Sequence, residues 1–175
     1  MMNILLLCGV TQAGKSTTIR HSVKYLTADD EIKYKYLHPD EYQNPPKTLK
    51  VDGKTVCIFL DSPQEAKVDV EEARKYLEDK FAIALEKRAN LLVLAFNISW
   101  YQDNKTDACL RWISSSGYKP ATHFVYLDSK TELDEFAKQK MEQIKNEGYN
   151  RFPNIDRTNP DEQGEIFAKL ITRLL

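Results

Sequence analysis

One stretch near the start of the chain constrains the fold more than any other. Residues 4–8 form an unbroken apolar run, residues 9–16 read G-V-T-Q-A-G-K-S, and residues 15–26 carry apolar side chains at helical spacing. Such an apolar run favours a strand covered on both faces. The pattern predicts a buried strand, a glycine-rich loop and a helix in direct succession, as at the start of an α/β fold.

The spacing of the loop, G-x-x-x-x-G-K-S, is the Walker A pattern of proteins that bind nucleoside triphosphates. Glycines let several backbone N–H groups point at a phosphate chain, and the following helix adds its positive end. Lys15 is predicted to reach the β- and γ-phosphates and to act in catalysis, and Ser16 to offer its hydroxyl to Mg²⁺. The predicted nucleotide-binding residues are Gly9, Val10, Thr11, Gln12, Ala13, Gly14, Lys15, Ser16 and Thr17.

The rest of the chain alternates short apolar runs with longer segments of helical period, which predicts an α/β fold with a mainly parallel sheet. Together with the Walker A loop, this makes a three-layer P-loop NTPase fold the expected one. Asp52-Gly53 separates two extended runs and predicts a β-hairpin near residues 48–60. Further strands are predicted at 34–37, 91–96 and 124–127. Helices are predicted over 70–88 and 104–114, after an S-x-x-E capping box at 129–132, and over 160–174, with loop at 147–158.

Length, net charge and cysteine count restrict the classes of protein to which this chain can belong. The length of 175 residues fits one domain, 1–175, and the net charge of −1 disfavours a globally basic nucleic-acid or membrane binder. Three cysteines, an odd number, argue against a disulfide framework and for a reducing compartment. The longest apolar stretch, 4–10, is too short to span a membrane. We therefore expect a cytoplasmic protein without a membrane partner, for which nucleic acid is at most a substrate.

A second ligand for the magnesium ion is expected from an acid that follows an apolar strand. Asp61 follows the apolar run 56–60, and Asp128 follows 124–127. Aspartate is also common after strands because it favours turns, so the pattern leaves both functions open for each residue. Asp61 is preferred because its strand is the more apolar.

The chain resembles the polynucleotide-kinase-like group of small P-loop kinases. The resemblance is carried by Gly9–Thr17, His38-Pro39-Asp40, 82–97, 112–128 and the arginines that follow. It implies that Asp40 accepts the proton of an acceptor hydroxyl and that Arg151 or Arg157 closes on the transferred group. The Asp52-Gly53 hairpin departs from the pattern, and Phe96 stands where a kinase-like Asp is expected.

The chain also resembles the Ras-like GTPases. The hairpin at 51–54 is followed by an apolar strand and by Asp61-Ser62-Pro63-Gln64-Glu65, which is similar to the switch-two motif but lacks its glycine. This resemblance implies that Gln64 orients an attacking water. The guanine-reading Asn-Lys-x-Asp is replaced by Asp128-Ser129-Lys130-Thr131.

Three functions follow, in order of preference. The first is a Mg²⁺-dependent kinase that transfers the γ-phosphoryl group of ATP, with GTP as the alternative donor, to a small-molecule, nucleotide or nucleic-acid acceptor. The second is a Ras-like GTPase or NTP hydrolase acting as a switch. The third is a degenerate nucleotide-binding module that acts through a protein partner. Residues Ser16 and Asp61 are the predicted metal ligands in the first two.

Overall fold

A computed structural model describes residues 1–175. Its centre is a six-stranded sheet in the order β2-β3-β4-β1-β5-β6. All neighbouring strands run parallel except β2 and β3, which are antiparallel. The strands are β1 Asn3–Gly9, β2 Thr48–Val51, β3 Lys54–Phe59, β4 Leu91–Asn97, β5 Thr122–Tyr126 and β6 Asn150–Arg151. The predicted fold class, an α/β fold with a mostly parallel sheet and one antiparallel hairpin, is confirmed.

Seven helices surround the sheet. They are α1 Lys15–Leu26, α2 Asp30–Leu37, α3 Pro63–Ala66, α4 Val70–Glu86, α5 Asp103–Ser115, α6 Asp134–Asn146 and α7 Pro160–Leu174. Asp69 caps α4 by accepting from the amide of Glu72, and Asn159 caps α7 in the same way from Glu162. None of these helices is long and apolar enough to cross a membrane.

Two hydrophobic clusters, one on each face of the sheet, create the three layers. Along β1 the side chains alternate between the clusters, so Leu5 and Leu7 face one and Leu6 and Cys8 the other. Helices α1, α2 and α7 pack on the first face, and α4, α5 and α6 on the second. Because both faces of β1 are covered, its unbroken apolar sequence is the expected one.

The predicted hairpin is present. Asp52 and Gly53 take φ values of 49° and 78°, the left-handed conformation that a tight turn between antiparallel strands requires at both central residues. Val51 pairs with Lys54 and Thr48 with Cys57. The second arm continues as β3 into the interior of the sheet, next to β4.

Three local predictions are wrong. Residues 34–37 form the end of helix α2 rather than a strand, because Asp29 caps a helix by accepting from the amides of Glu31 and Ile32. The segment 147–158 is not all loop, since it contains β6, and Ile155 bridges to Leu127.

The capping box predicted at Ser129 is the third error. Helix α6 begins at Asp134, and the side chain of Asp134 binds the preceding turn instead. Its carboxylate accepts from the amide of Thr131 and from the hydroxyl of Ser129, both at 2.8 Å. Because the carboxylate of Asp134 binds these donors, residues 129–133 form a turn and the helix begins only at Asp134.

Candidate active site

The glycine-rich loop joins the end of β1 to the start of α1, as the sequence predicted. Gln12 and Gly14 have positive φ values of 62° and 89°. The amide of Ala13 donates to the carbonyl of Val10 at 3.1 Å, and the amide of Thr18 donates to Gly14 at 2.9 Å. Gly14 is the residue before the helix, and its left-handed conformation is one that glycine adopts without steric cost. The loop thus turns directly into the positive end of α1.

Lys15 lies inside this loop. It is 4% exposed, and its ammonium donates to the carbonyls of Val10 at 2.8 Å and Gly9 at 3.3 Å. The nearest carboxylate is Glu65, whose Oε2 is 3.9 Å from Nζ. Burial lowers the pKa of Lys15, and the negative charge of Glu65 opposes that shift.

Ser16 and Asp61 come together across the sheet edge. The hydroxyl of Ser16 donates to the carbonyl of Leu60 at 2.7 Å, and Asp61 is the next residue. Both line a cavity of about 220 Å³ together with Glu65. The cavity beside the loop is therefore lined by two hydroxyl residues, Ser16 and Ser62, and by two carboxylates.

This donor set fits magnesium. Mg²⁺ prefers oxygen ligands and is usually held by one or two carboxylates together with substrate phosphates and water. No group of three or more His, Cys, Asp and Glu side chains is placed to hold a metal by itself. A site completed by the phosphates of a nucleotide needs no such cage.

A polar network behind the loop was missed by the sequence analysis. The side-chain nitrogen Nδ2 of Asn97, at the end of β4, donates to the hydroxyl of Thr11 at 2.9 Å and to Glu65 Oε1 at 2.7 Å. The hydroxyl of Ser62 donates to Glu65 Oε2 at 2.8 Å. The carboxylate of Glu65 is thereby held next to Lys15 and linked to the loop through Asn97.

A sequence signal for Glu65 did exist. Ser62-Pro63-Gln64-Glu65 is an S-x-x-E capping box with proline at the first helical position, and Ser62 does cap α3 by accepting from the amide of Glu65. Such a box fixes the direction of the Glu65 side chain. Glu65 is the residue after Gln64, to which the Ras-like resemblance assigns the water-orienting function.

Gln64 itself is fully buried. Its side-chain oxygen accepts from the backbone amide of Asn97 at 3.3 Å, and its side-chain nitrogen donates to the hydroxyl of Thr106 at 3.4 Å. The side chain therefore connects α3 to β4 and α5, and it is not on the surface of the cavity. Its water-orienting function stays a prediction without support from this geometry.

The residues assigned by the kinase resemblance lie apart from one another. Asp40 is exposed in the turn that follows α2. Arg151 pairs with Glu142 and donates to Asn154 at 3.0 Å, and it lies on the edge strand β6, opposite Phe124 midway along β5. Arg157 donates to the carbonyl of Ser129, near the carboxyl end of β5. The structure brings none of these three into the network around Lys15.

Asp128, the alternative metal ligand, is engaged elsewhere. One carboxylate oxygen accepts from the amide of Lys130 at 2.8 Å, and the other lies 3.0 Å from Nζ of Lys138. This is the turn function that the sequence analysis left open for it.

Comparison with known proteins adds little at the level of sequence. No protein-family model matches the chain, and no curated protein matches it. Among solved structures, chloroplast FtsY from Physcomitrella patens covers 98% of this chain with a TM-score of 0.47 and 13% identity. The chain spans 56% of that protein's length. A likeness of this degree carries no argument about activity. The strand order and the loop show a P-loop-like α/β fold.

Proposed function

We propose that this protein is a Mg²⁺-dependent phosphotransferase that uses a nucleoside triphosphate, ATP in the first place and GTP as the alternative, as phosphoryl donor. The observation that supports it is the convergence of Lys15, Ser16, Asp61 and Glu65 at the carboxyl edge of the sheet. Open α/β sheets bind their ligands at this edge.

In this proposal the loop holds the phosphate chain of the nucleotide. Backbone N–H groups of residues 9–17 and the positive end of α1 face the phosphates, and Lys15 neutralises charge on the β- and γ-phosphates. Ser16 and Asp61 hold the metal ion, which when bound neutralises negative charge on the phosphate oxygens. Phosphoryl transfer needs mainly such positioning and charge neutralisation from a protein.

Glu65 is the group best placed to receive a proton. Two donors, Asn97 and Ser62, hold its carboxylate beside Lys15 and the cavity. The attacking hydroxyl oxygen forms a new bond to the γ-phosphorus, the bond to the β–γ bridging oxygen breaks, and the diphosphate leaves with that electron pair. The hydroxyl proton goes to Glu65, the role of a general base.

Transfer to an acceptor is preferred over hydrolysis because there is room beyond Asp61. A second cavity of about 210 Å³ shares Leu60 and Asp61 with the cavity beside the loop. Two adjoining cavities that meet at a metal-binding carboxylate suit a donor and an acceptor. Hydrolysis is the second candidate, since a water at Glu65 can serve as the nucleophile without any further site.

The test is a product analysis with ATP or GTP labelled in the γ-phosphate. We expect Mg²⁺-dependent transfer of label to a component of a small-molecule acceptor mixture, and loss of transfer on Lys15→Met, which keeps the apolar stem but removes the ammonium. Label found only in free phosphate would select the hydrolase. A wild-type protein that binds the nucleotide but releases no labelled product would contradict both.

A further inference from the structure

The cavity beyond Asp61 contains two lysines from different parts of the chain. Lys47 lies at the end of the segment that follows α2, and Lys80 lies on α4. Both line the same 210 Å³ cavity as Asp61. Neither ammonium has an ion-pair partner, although thirteen ion pairs occur elsewhere in the molecule.

The position of Lys80 is fixed by aromatic rings. Its Nζ lies 4.1 Å from the ring centre of Tyr76 and 4.9 Å from that of Phe59. Both distances are within the range of a cation–π contact. The Tyr76 hydroxyl donates to Asp61 Oδ2 at 3.4 Å, so Asp61 and Lys80 are held by the same ring.

The position of Lys47 is fixed through its backbone. Its carbonyl accepts from the amide of Ile58 in β3 at 2.8 Å. The preceding segment is tied to α1 because the guanidinium of Arg20 donates to the carbonyls of Tyr36 at 2.9 Å and Gln43 at 3.1 Å. The Tyr36 hydroxyl also donates to the carbonyl of Pro46. These hydrogen bonds therefore hold the segment that carries Lys47 in place against β3, α1 and α2.

Two lysines and one carboxylate line the cavity, so its lining carries more positive than negative charge. Burial lowers the pKa of Lys80, and the positive charges of Lys47 and Lys67 lower it further, while Asp61 and Asp79 oppose the shift. Asp61 is the only carboxylate lining this cavity, and its charge is engaged when it binds a metal ion. An anion between Lys47 and Lys80 would relieve the repulsion between them.

We propose that Lys47 and Lys80 form the subsite for a phosphate group already present on the acceptor molecule. This inference rests on the proposed function, and it names the acceptor as a small phosphorylated compound. The acceptor's phosphate binds between the two ammonium groups. Its hydroxyl extends past Asp61 into the adjoining cavity, towards Glu65 and the γ-phosphate of the nucleotide. A cavity of about 210 Å³ suits the phosphate-bearing part of a small molecule.

The test is a calorimetric titration of inorganic phosphate into the full chain saturated with Mg²⁺ and ADP. We expect binding to wild type and at least about tenfold weaker binding to Lys47→Gln/Lys80→Gln, since two charged hydrogen bonds are lost. Lys54→Gln, at the exposed hairpin turn, is the matched control and should bind as wild type does. Lys47→Gln alone, at an exposed position, should show part of the loss.

Three further titrations, of phosphate into Lys15→Met, of acetate and of ATP into wild type, separate this inference from the proposed function. Phosphate binding that survives Lys15→Met but not Lys47→Gln/Lys80→Gln supports the subsite independently of the loop. Equal affinity in wild type and in the double variant would overturn the subsite, even if Mg²⁺ and ATP bind normally. Acetate binding as tightly as phosphate would overturn the assignment to a phosphate group. Absence of ATP binding by wild type would reject the proposed function alone, because phosphate can then be titrated without ADP.

Discussion

The regions on the two sides of β1, called here the β4 flank and the β5 flank, carry similar polar side chains that make different contacts. On the β4 flank, defined by Ser62, Glu65 and Asn97, the polar groups bond to one another, and Asn97 reaches Thr11 of the loop. On the β5 flank, defined by Asp128, Ser129 and Asp134, the carboxylates bind groups of their own segment. One flank thus supports the loop, and the other stabilises a turn.

The contrast teaches that an aspartate after a strand does not by itself identify a metal site. Asp61 and Asp128 follow similar apolar strands, but only Asp61 meets Ser16 across the sheet edge. Asp128 is held by Lys130 and Lys138. What decides the function is which other elements the strand order brings to the same edge. Substitutions on the β4 flank should therefore change turnover, and those on the β5 flank should change stability.

The largest effect is expected at Glu65. Replacing its carboxylate by an amide, Glu65→Gln, removes the proton acceptor while keeping the size of the side chain. Turnover should fall by about 100-fold or more, the usual contribution of a general base. Steady-state rates of γ-phosphate transfer or release measure it. Glu142→Gln, which only breaks the pair with Arg151, should keep wild-type turnover; similar losses in both variants would remove the distinction between the flanks.

The next largest effect is on stability, at Asp134. This buried carboxylate accepts from Tyr126, Thr131 and Ser129, and Asp134→Asn leaves donors without an acceptor. The free energy of unfolding should fall by about 1–3 kcal/mol, as urea denaturation would show, while nucleotide affinity stays unchanged. A variant as stable as wild type would contradict the assignment of the β5 flank to stability.

The same residue predicts a pH dependence. Burial raises the pKa of Asp134, but hydrogen bonds from Tyr126, Thr131 and Ser129 outweigh it and lower the pKa from 3.8 to about 2. Because the folded pKa lies below the unfolded value, the ionised carboxylate stabilises the fold above pH 3.8, and this stabilisation is lost as the pH falls towards 2. Wild type should lose more stability over that interval than Asp134→Asn, as denaturation at several pH values would measure.

The two aspartates that follow strands provide a direct test of the contrast. Asp61→Asn should weaken the Mg²⁺ dependence of nucleotide binding by at least about tenfold, because a charged ligand is lost. Asp128→Asn should leave the magnesium requirement unchanged. Titrations of Mg²⁺ at fixed ATP measure both. A loss on Asp128→Asn with none on Asp61→Asn would move the metal site to the β5 flank.

The smallest effect is expected at Arg151. Its guanidinium, on the edge strand β6, is paired with Glu142 of α6 and is not part of the network around Lys15, so Arg151→Ala should change turnover by no more than about twofold. Arg157→Ala is the matched comparison, because Arg157 lies near the carboxyl end of β5. A loss of turnover confined to Arg157→Ala would support the lid function for that arginine, whereas a large loss on Arg151→Ala would contradict its placement.

Contiguous patterns predicted the fold around the loop. The apolar strand, the glycine spacing and the helical period of residues 15–26 lie next to one another in the chain, so local chemistry alone specifies β1, the loop and α1. The Asp52-Gly53 hairpin is local in the same sense. A strand was wrongly predicted at residues 34–37, because a short alternation of apolar and polar side chains fits either a strand or the end of a helix.

The network around Glu65 could not be assembled from sequence. Glu65, in α3, and Asn97, at the end of β4, come from separate elements, and they meet Thr11 only because β4 lies between β3 and β1. Periodicity identifies strands but does not give their order in the sheet. The same limit explains why Asp40, Arg151 and Arg157, chosen by resemblance, do not meet at the loop.

The central claim is that the loop and Asp61 form one site for a nucleoside triphosphate and Mg²⁺. Isothermal titration calorimetry with ATP and with GTP, each with and without Mg²⁺, tests it most directly on wild type and on Lys15→Met. We predict Mg²⁺-dependent binding to wild type, weakened at least about tenfold by loss of the Lys15 ammonium. Equal affinity in the two proteins, or no binding of either nucleotide to wild type, would contradict the claim.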